Sequence, residues 1–359
     1  MTGATVADNV LQSTELLKFT ETRIRMEATY ILFPEKGRVT VERETLSSEP
    51  LKPMEVIVRN EASIISAGTE LATLNAVGSN PIRPGYGSIG RIEAVGAGIA
   101  DFKPGDRVFY AGKHASVQRF LHGENHQWNY LYPCPEQLDA IDATFACMAQ
   151  ISMTAPNITE LYLGDTVAVF GLGLVGNLAA QLYKLAGAKV IGLDPMRERC
   201  DMAKRTGIDT VIDVPAAKQT EALKELTGGK GAAVTVDAVG HSAVIASCIE
   251  STTLYGQIIL LGSPRAPFST DMTRSMSLIH MNGLVVRGAH MWRLVPDDLR
   301  CVKHSVAWSL RVIFDTIASG KLKVRELAKS IVKPAEVPAT YAGLRASPEK
   351  YAGVVIDWR

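Results

Sequence analysis

A glycine-rich turn between an apolar segment and an amphipathic segment constrains the fold of this chain most strongly. The segment DTVAVFGLGLVGNLAAQLYKLAG carries G-x-G-x-x-G at Gly171, Gly173 and Gly176. The residues before it predict a buried strand, and those after it predict a helix closed by Gly187. In this setting Gly171 would make the tight turn, Gly173 would admit a pyrophosphate, and Gly176 would let helix and strand pack. We therefore expect a dinucleotide site at the end of a helix that begins near Leu174.

An acidic residue downstream of the glycines predicts which dinucleotide binds. Asp194 ends the next apolar segment, 18 positions after Gly176. A carboxylate there accepts hydrogen bonds from the ribose hydroxyls of NAD and repels the 2′-phosphate of NADP. Arg197 and Arg199 follow closely, and an arginine can instead receive that phosphate or lie solvated on the next helix. The pattern favours NAD over NADP.

The patterning divides the chain into two kinds of structure. From about residue 155 apolar strands alternate with helical stretches, which predicts a parallel sheet covered by helices on both faces. Residues 26–110 instead contain short alternating strands, such as ATYILF and MEVIVRNEAS, separated by turn residues. The tail from about 290 holds a long helix, a shorter helical stretch after Pro334, and a final strand, GVVIDW. We expect an α/β protein with a separate β-rich part.

Composition excludes several classes of protein. The 359 residues include 38 basic and 37 acidic side chains, a net charge of +1, which argues against a nucleic-acid partner. No apolar run approaches the ~20 residues that span a bilayer, so no membrane partner is expected. The five cysteines are scattered without a C-x-x-C pair, which favours a reducing compartment. These features predict a cytoplasmic protein acting on a small-molecule substrate. Residues 1–25 lack the pattern of a secretory signal.

The chain resembles the medium-chain dehydrogenase/reductase superfamily, in its zinc alcohol dehydrogenase-like group. The segments that carry this resemblance are EATYILFPEKGRV, SIISAGTEL, RPGYGSIGRIEAVGAG, FKPGDRVF, GDTVAVFGLGLVGNLAAQLYKLAGAKVIGLD, VTVDAVG and GQIILLG. It extends over residues 26–359, so residues 1–25 are expected to be an N-terminal extension. The resemblance implies a discontinuous GroES-like β-rich catalytic domain, residues 26–154 and 290–359, around a Rossmann NAD-binding domain at 155–289. It also implies a homodimer joined through the edge strand at 283–289, with a tetramer as the alternative.

The positions that hold zinc in the resembled enzymes carry other residues here. The C-G-T-D-like segment reads AGTE at 67–70, and the G-H-E segment reads GYG at 85–87. The third ligand, a cysteine or glutamate, corresponds to Gln150. Because alanine cannot bind Zn²⁺ and tyrosine and glutamine are poor ligands, the resemblance implies a zinc-independent branch. His114, His122 and His126 form a local group, but no carboxylate or cysteine has matching spacing, so we expect no metal there either.

Hydride transfer without zinc still needs side chains that handle a proton or a developing oxyanion. The resemblance implies that Tyr86 directs its phenol toward the reacting oxygen, or else fills the vacated pocket. Thr69 matches a proton-relaying hydroxyl, and Gln150 would donate an amide hydrogen bond. Histidine has the ordinary pKa best suited to acid–base work near neutrality, which makes His114 a candidate. The candidate catalytic residues are Tyr86, His114, Thr69, Gln150, Lys113 at the start of the implied pocket, and Glu70 as an orienting group or ion-pair partner.

The remaining candidate contacts also follow from the resemblance. Thr154 would lie beside the nicotinamide, and Gly262, Ser263 and Ala289 would hold its carboxamide. The full set of candidate cofactor-binding residues is Gly171, Gly173, Leu174, Val175, Gly176, Asp194, Arg199, Thr154, Gly240, Gly262, Ser263 and Ala289. The candidate substrate-pocket residues are His290, Met291 and Trp292, which as an HMW run would otherwise form interdomain core.

Three functions fit these residues. The first is an NAD-dependent, zinc-independent oxidoreductase of a secondary alcohol or ketone. Its segments SAGTEL, PGYGSIGRIEAVG and GDRVF resemble bacteriochlorophyllide, cyclitol and sugar dehydrogenase-like members, which implies a polyol, cyclitol or sugar-like substrate. The second is an enoyl or quinone reductase, although such enzymes usually use NADPH and Asp194 counts against that cofactor. The third is a non-catalytic NAD-binding protein, against which the polar groups of Tyr86, Thr69 and Gln150 argue.

Overall fold

Two large sheets organise the chain. The computed structural model describes residues 26–123, 129–347, 351 and 353–359, so the expectations for residues 1–25 and for His126 lie outside the described residues. One sheet has six parallel strands, the other has seven strands, and a small antiparallel pair lies beside them. This combination of a β-rich part with a helix-covered parallel sheet confirms the predicted α/β fold class.

The bounds of the helices and strands within the described residues are as follows. The strands are β1 (Glu27–Leu32), β2 (Thr40–Thr45), β3 (Glu55–Ile64), β4 (Ser88–Val95), β5 (Arg107–Tyr110), β6 (Val117–Leu121), β7 (Leu131–Pro133), β8 (Thr166–Phe170), β9 (Lys189–Leu193), β10 (Thr210–Ile212), β11 (Ala232–Asp237), β12 (Thr252–Leu260), β13 (Val285–Gly288), β14 (Ser330–Val332) and β15 (Val354–Asp357). The α-helices are α1 (Ala67–Ala76), α2 (Ala140–Thr144), α3 (Ala146–Ile158), α4 (Leu174–Leu185), α5 (Arg197–Arg205), α6 (Ala216–Leu226), α7 (Ser242–Ser251), α8 (Met272–Asn282), α9 (Val306–Ala318) and α10 (Val337–Ala346).

The parallel sheet has a strand order that creates a ligand-binding crevice. Its order is β10-β9-β8-β11-β12-β13, so the chain runs from β8 to one side and then returns to the other side at β11. Ligands of open α/β sheets bind at such a reversal, beyond the carboxyl ends of the strands. The strands are almost continuously apolar because helices cover both faces. The glycine-rich turn follows β8 and therefore lies at this crevice.

The tail of the chain completes the β-rich part. The seven-stranded sheet has the order β14-β15-β3-β4-β5-β7, and β6 also pairs with β3. The C-terminal strand β15 lies antiparallel to β3, with Val355 opposite Ile64. The rings of Phe33, which follows β1, and Tyr341, in α10, also pack edge to face, with 5.3 Å between their centroids. The return of the tail to the first sheet agrees with what the resemblance implies.

Several local interpretations differ from the structure. The turn-rich stretch 26–110 was expected to hold strands alone, yet α1 lies within it. Helix α7 ends at Ser251 and β12 begins directly at Thr252, because β-branched threonines favour strand. Helix α3 continues past residue 154, the expected domain boundary. Across the described residues, no helix combines the length and apolar character needed to cross a bilayer.

Candidate active site

The glycine-rich turn has the geometry that a dinucleotide pyrophosphate requires. Gly171 has a φ of +91° and donates its N–H to the carbonyl of Leu193 at 2.7 Å. A Cβ on Gly176 would overlap the carbonyl oxygen of Gly171, so helix α4 can approach β8 only with glycine there. A Cβ on Gly173, the N-cap of α4, would meet nothing within 4 Å. The turn is therefore closely packed at Gly176 and open at Gly173, where the N–H groups at the start of α4 are placed to bind an anion.

A cleft of about 500 Å³ opens in front of this turn, between the two sheets. It is lined by seven of the predicted cofactor residues: Gly171, Gly173, Leu174, Val175, Arg199, Gly262 and Ser263. Gly176 and Gly240 lie behind the wall, and a Cβ on Gly240 would overlap the carbonyl of Ser263. Thr154 is buried off the cleft, and its hydroxyl donates to the Gln150 carbonyl at 3.4 Å.

The cleft also contains cations that the sequence analysis missed. Arg265 and Lys329 line it, and the guanidinium of Arg265 lies against Gly68 from the opposite side of the cleft. Arg265 follows β12 in a segment without a recognisable motif, and Lys329 lies in the C-terminal tail. No local sequence signal could have found them, since only the tertiary fold brings them to the glycine-rich turn.

Asp194 is buried and does not line the cleft. Its carboxylate accepts the N–H of Leu172 at 2.8 Å and the N–H of Met196 at 2.9 Å. One guanidinium nitrogen of Arg199 is 3.4 Å from the same carboxylate, and the Arg199 side chain lines the cleft. Glu198 lines it as well. Asp194 therefore fixes the glycine-rich turn and places a buried negative charge under Arg199.

A second cavity of about 600 Å³ adjoins the cleft. The residues that line both cavities are Thr69, Tyr86, Ile151, Leu261 and Ser263. The second cavity contains the predicted Lys113, His290, Met291 and Trp292, together with Ala289, which was expected to contact the cofactor. Its wall further includes residues that the sequence analysis did not identify: Gln118, Arg119, Phe120 and Asn129. A molecule in this cavity would meet a dinucleotide in the cleft beside Thr69 and Tyr86.

Tyr86 lies at this junction with its phenol in the neutral form. Burial raises the pKa of the Tyr86 phenol well above its usual range. The hydroxyls of Ser66 and Thr69 hydrogen-bond the phenol and only partly oppose the increase, to which Glu70 also contributes. Near neutral pH the side chain therefore offers an O–H donor.

A buried polar network supports the turn that carries Ser66 and Thr69. Glu70 accepts the N–H of Ser66 at 2.7 Å, the Nε2 proton of His114 at 3.1 Å, and the hydroxyl of Tyr341. Burial alone would raise the pKa of Glu70, but His114, Tyr341 and the Ser66 N–H outweigh burial and lower this pKa. The network joins α1, the loop before β6 and the C-terminal helix α10.

The placement of His114 does not fit the acid–base role expected from the sequence. Its side chain is fully buried and lies on the wall of neither cavity. Its Nδ1 lies 2.8 Å from the Ser63 hydroxyl, which also accepts the indole N–H of Trp358 at 2.9 Å. Both ring nitrogens of His114 are thus occupied by protein partners, so the geometry makes it a support for Glu70.

Helix α3 places Cys147, rather than Gln150, beside Tyr86. The Cys147 sulfur is 3.6 Å from the Tyr86 carbonyl, and a Cβ on Gly87 would press on the same thiol. Gln150 is buried off both cavities, and its amide nitrogen has no hydrogen-bond partner among the described residues. Cys147, one helical turn before Gln150 on α3, therefore lies where the third ligand position was expected to place Gln150.

The donor set around Tyr86 does not fit a zinc ion. Ala67 offers no donor atom and Tyr86 keeps its proton, so Cys147 supplies the one usual zinc-ligand type among these three residues. Zinc sites use thiolate, imidazole and carboxylate ligands. Within residues 26–123 and 129–347 and the described tail, no group of three or more His, Cys, Asp or Glu side chains is arranged to hold a metal.

Comparisons with known proteins agree with this geometry. Residues 175–307 match a family model described as zinc-binding dehydrogenase. The D-guloside 3-dehydrogenase of Escherichia coli (strain K12) is 28% identical over 258 residues, covering 70% of this chain and 71% of that protein. A solved short chain alcohol dehydrogenase from Escherichia coli CFT073, complexed with NADH, has a TM-score of 0.77 at 18% identity, covering 92% of this chain and 99% of its own. A structure from Sinorhizobium meliloti 1021 described as a zinc-binding dehydrogenase, bound to NADP, has a TM-score of 0.76 at 18% identity, with coverages of 93% and 100%.

The fold, the glycine-rich cleft and the adjoining cavity define the class of this protein. It is an oxidoreductase of the dehydrogenase type, built on a parallel sheet and a β-rich sheet. These matches support the medium-chain dehydrogenase/reductase superfamily that its sequence segments predicted. Within this family, the residues around Tyr86 contrast with the zinc-binding description of the matching family model.

Proposed function

We propose that this protein is an NAD-dependent, zinc-independent dehydrogenase of secondary alcohols and the corresponding ketones, with a polyol or sugar-like substrate. The observation that carries the proposal is that Tyr86 and Thr69 line both the glycine-rich cleft and the adjoining cavity. NAD, when bound, supplies the carbon that exchanges the hydride. Similarity to a D-guloside 3-dehydrogenase supports a polyhydroxylated substrate.

In this proposal Tyr86 handles the charge on the substrate oxygen. Its neutral phenol donates a hydrogen bond to that oxygen, which stabilises the negative charge that develops there. The hydroxyls of Ser66 and Thr69 orient the phenol, and Thr69, exposed to the cavity, passes the proton. Glu70 and His114 hold the turn in place from behind. The raised pKa of Tyr86 keeps the phenol protonated, so it serves as a hydrogen-bond donor to that oxygen rather than as a base.

The proposed preference for NAD rests on charges at the ribose end of the cleft. Arg199 already faces the buried carboxylate of Asp194, and Glu198 lines the wall next to it. A 2′-phosphate bound here would meet these two carboxylates, whereas ribose hydroxyls carry no charge. Arg265 and Lys329 would serve the pyrophosphate.

We also propose the domain division inferred from the sequence, with residues 155–289 as the cofactor domain between residues 26–154 and 290–359. The proposed homodimer would form along β13, which is an edge strand with exposed Val285 and Val286. An edge strand offers unpaired N–H and C=O groups to a second copy. A cytoplasmic location remains part of the proposal.

The test is turnover by the chelator-treated enzyme with a panel of D-glucitol, myo-inositol and simple secondary alcohols, followed by the absorbance of reduced nicotinamide. We expect NAD-linked oxidation of a polyol that persists after chelation and is lost in Tyr86→Phe. Tyr162→Phe, which makes the same change at an exposed position, should keep full activity.

Each alternative gives a different result. Activity that requires added Zn²⁺ would contradict zinc independence. Faster NADPH-linked reduction of enones or quinones would identify an enoyl or quinone reductase instead. Tight NADH binding without turnover of any substrate in the panel would identify a non-catalytic NAD-binding protein.

A further inference from the structure

Among the described residues, the wall of the substrate cavity holds basic side chains and no acidic one. Its described wall includes Lys113, Arg119 and His290, and no Asp or Glu. Arg119 is already compensated, because its guanidinium pairs with Glu55 at 2.6 Å and donates to three backbone carbonyls outside the cavity. The unused positive charge of this wall therefore belongs to Lys113.

The Lys113 ammonium has no partner in the part of the chain that the structure describes, although the backbone beneath it is fixed. The side chain of Gln118 accepts the Lys113 N–H at 3.0 Å and donates to the Lys113 carbonyl at 2.9 Å, which braces the loop. The ammonium itself makes no hydrogen bond or ion pair with any described residue. Partial burial lowers the pKa of Lys113, and the Glu70 carboxylate opposes this only in part. A cation held in this way gains most from an anionic ligand.

His290 supplies a second donor in the same cavity. Its Nδ1 accepts the N–H of Trp292 at 3.3 Å, which leaves the proton of the neutral ring on Nε2. The Trp292 ring packs edge to face against it at 4.8 Å between centroids. The orientation of the imidazole is thus fixed by its own loop, and its N–H is available to a ligand.

We propose that the substrate carries a carboxylate that binds to Lys113 and the Nε2–H of His290, so that the substrates are acidic polyols of the aldonate or uronate type. This inference rests on the proposed dehydrogenase function and deepens it. One ammonium and one neutral donor match a single negative charge. A phosphate monoester carries about two charges at neutral pH and would leave one uncompensated here.

The experiment compares ligands that differ only in charge, using the enzyme–NADH complex so that no turnover occurs. D-gluconate and D-glucitol share a carbon chain and differ in a carboxylate at one end. We expect D-gluconate to bind about tenfold more tightly in a calorimetric titration, because a partly desolvated ion pair replaces a neutral contact. Lys113→Met should abolish this preference, and Lys113→Arg should retain most of it. Lys36→Met, in an exposed turn, controls for net charge.

The outcomes separate this inference from the dehydrogenase function. Equal affinity for D-gluconate and D-glucitol, or binding of neither, would overturn the carboxylate proposal. A preference that survives Lys113→Met would overturn the role of Lys113. D-glucitol 6-phosphate binding more tightly than D-gluconate in a Lys113-dependent way would overturn the carboxylate in favour of a phosphate. If D-glucitol is oxidised and acidic polyols are not preferred, the carboxylate proposal fails but the dehydrogenase function stands. The dehydrogenase function fails only if no alcohol is turned over.

Discussion

The buried carboxylate of Glu70 gives the most quantitative prediction, through the substitution Glu70→Gln. Three donors converge on this carboxylate: the N–H of Ser66 at 2.7 Å, Nε2 of His114 at 3.1 Å, and the hydroxyl of Tyr341. Glutamine has the size of glutamate, but only its carbonyl oxygen can accept hydrogen bonds. Its NH₂ group would face a donor and could not pair with it. A bond to a buried charged acceptor contributes about 1.5–3 kcal/mol. With the amide oxygen in place of Oε2, the bond from Ser66 is lost, and the bonds from His114 and Tyr341 lose their charged acceptor. Part of this loss is offset because an amide is cheaper to bury than a charge. We therefore expect the free energy of unfolding to fall by about 2–4 kcal/mol.

Urea denaturation followed by tryptophan fluorescence measures this change, since Trp358 belongs to the same network. The pKa of Glu70 in the folded chain lies below its ordinary value of 4.5. Its contribution to stability is therefore complete above that pH and disappears as the pH falls through the folded-state pKa. The gap between wild type and Glu70→Gln should narrow in acid. Equal stability near neutral pH, or a gap that is unchanged at low pH, would refute the reasoning. Glu35→Gln removes an exposed ion pair with Arg38 and should change stability by less than ~0.5 kcal/mol.

Three further predictions test other parts of the site. Gly176→Ala should weaken NADH binding at least about tenfold, because the added methyl displaces α4 from the turn. Nicotinamide fluorescence measures this affinity. Gly78→Ala, where a Cβ meets nothing within 4 Å, should bind NADH normally. Asp194→Asn should shift the ratio of NADPH to NADH affinity by about tenfold toward NADPH, and an unchanged ratio would count against the charge argument. Val286→Lys should convert the proposed homodimer to monomer in sedimentation experiments, whereas Leu163→Lys, at an exposed site outside β13, should not.

The parts of the site that follow local rules could be predicted from the sequence. The glycine-rich turn was one of them, and α4 begins at Leu174 as expected. Tyr86 also lies at a cavity junction, although only its resemblance to a ligand position suggested this. Contacts between distant segments could not be predicted in this way: Tyr341 reaches Glu70 across 271 positions, and no motif marks Arg265.

The misplaced expectations have a physical cause as well. His114 carries a side chain suited to acid–base chemistry, but chemistry alone does not say whether a ring faces a cavity or the core. Gln150 and Cys147 are neighbours one turn apart on α3, and a single sequence does not fix which of them faces Tyr86. In both cases the deciding fact is the direction of a side chain, which depends on packing with remote strands.

In the proposed reaction, the Tyr86 phenol donates a hydrogen bond to the reacting oxygen where the cofactor cleft and the substrate cavity meet. The most direct measurement is pre-steady-state hydride transfer by chelator-treated wild type and Tyr86→Phe, using a substrate deuterated at the reacting carbon. We predict that loss of the phenol lowers the hydride-transfer rate by about 10²–10³-fold while NADH affinity is unchanged. Hydride transfer at the wild-type rate in Tyr86→Phe, with the same isotope effect, would contradict the claim.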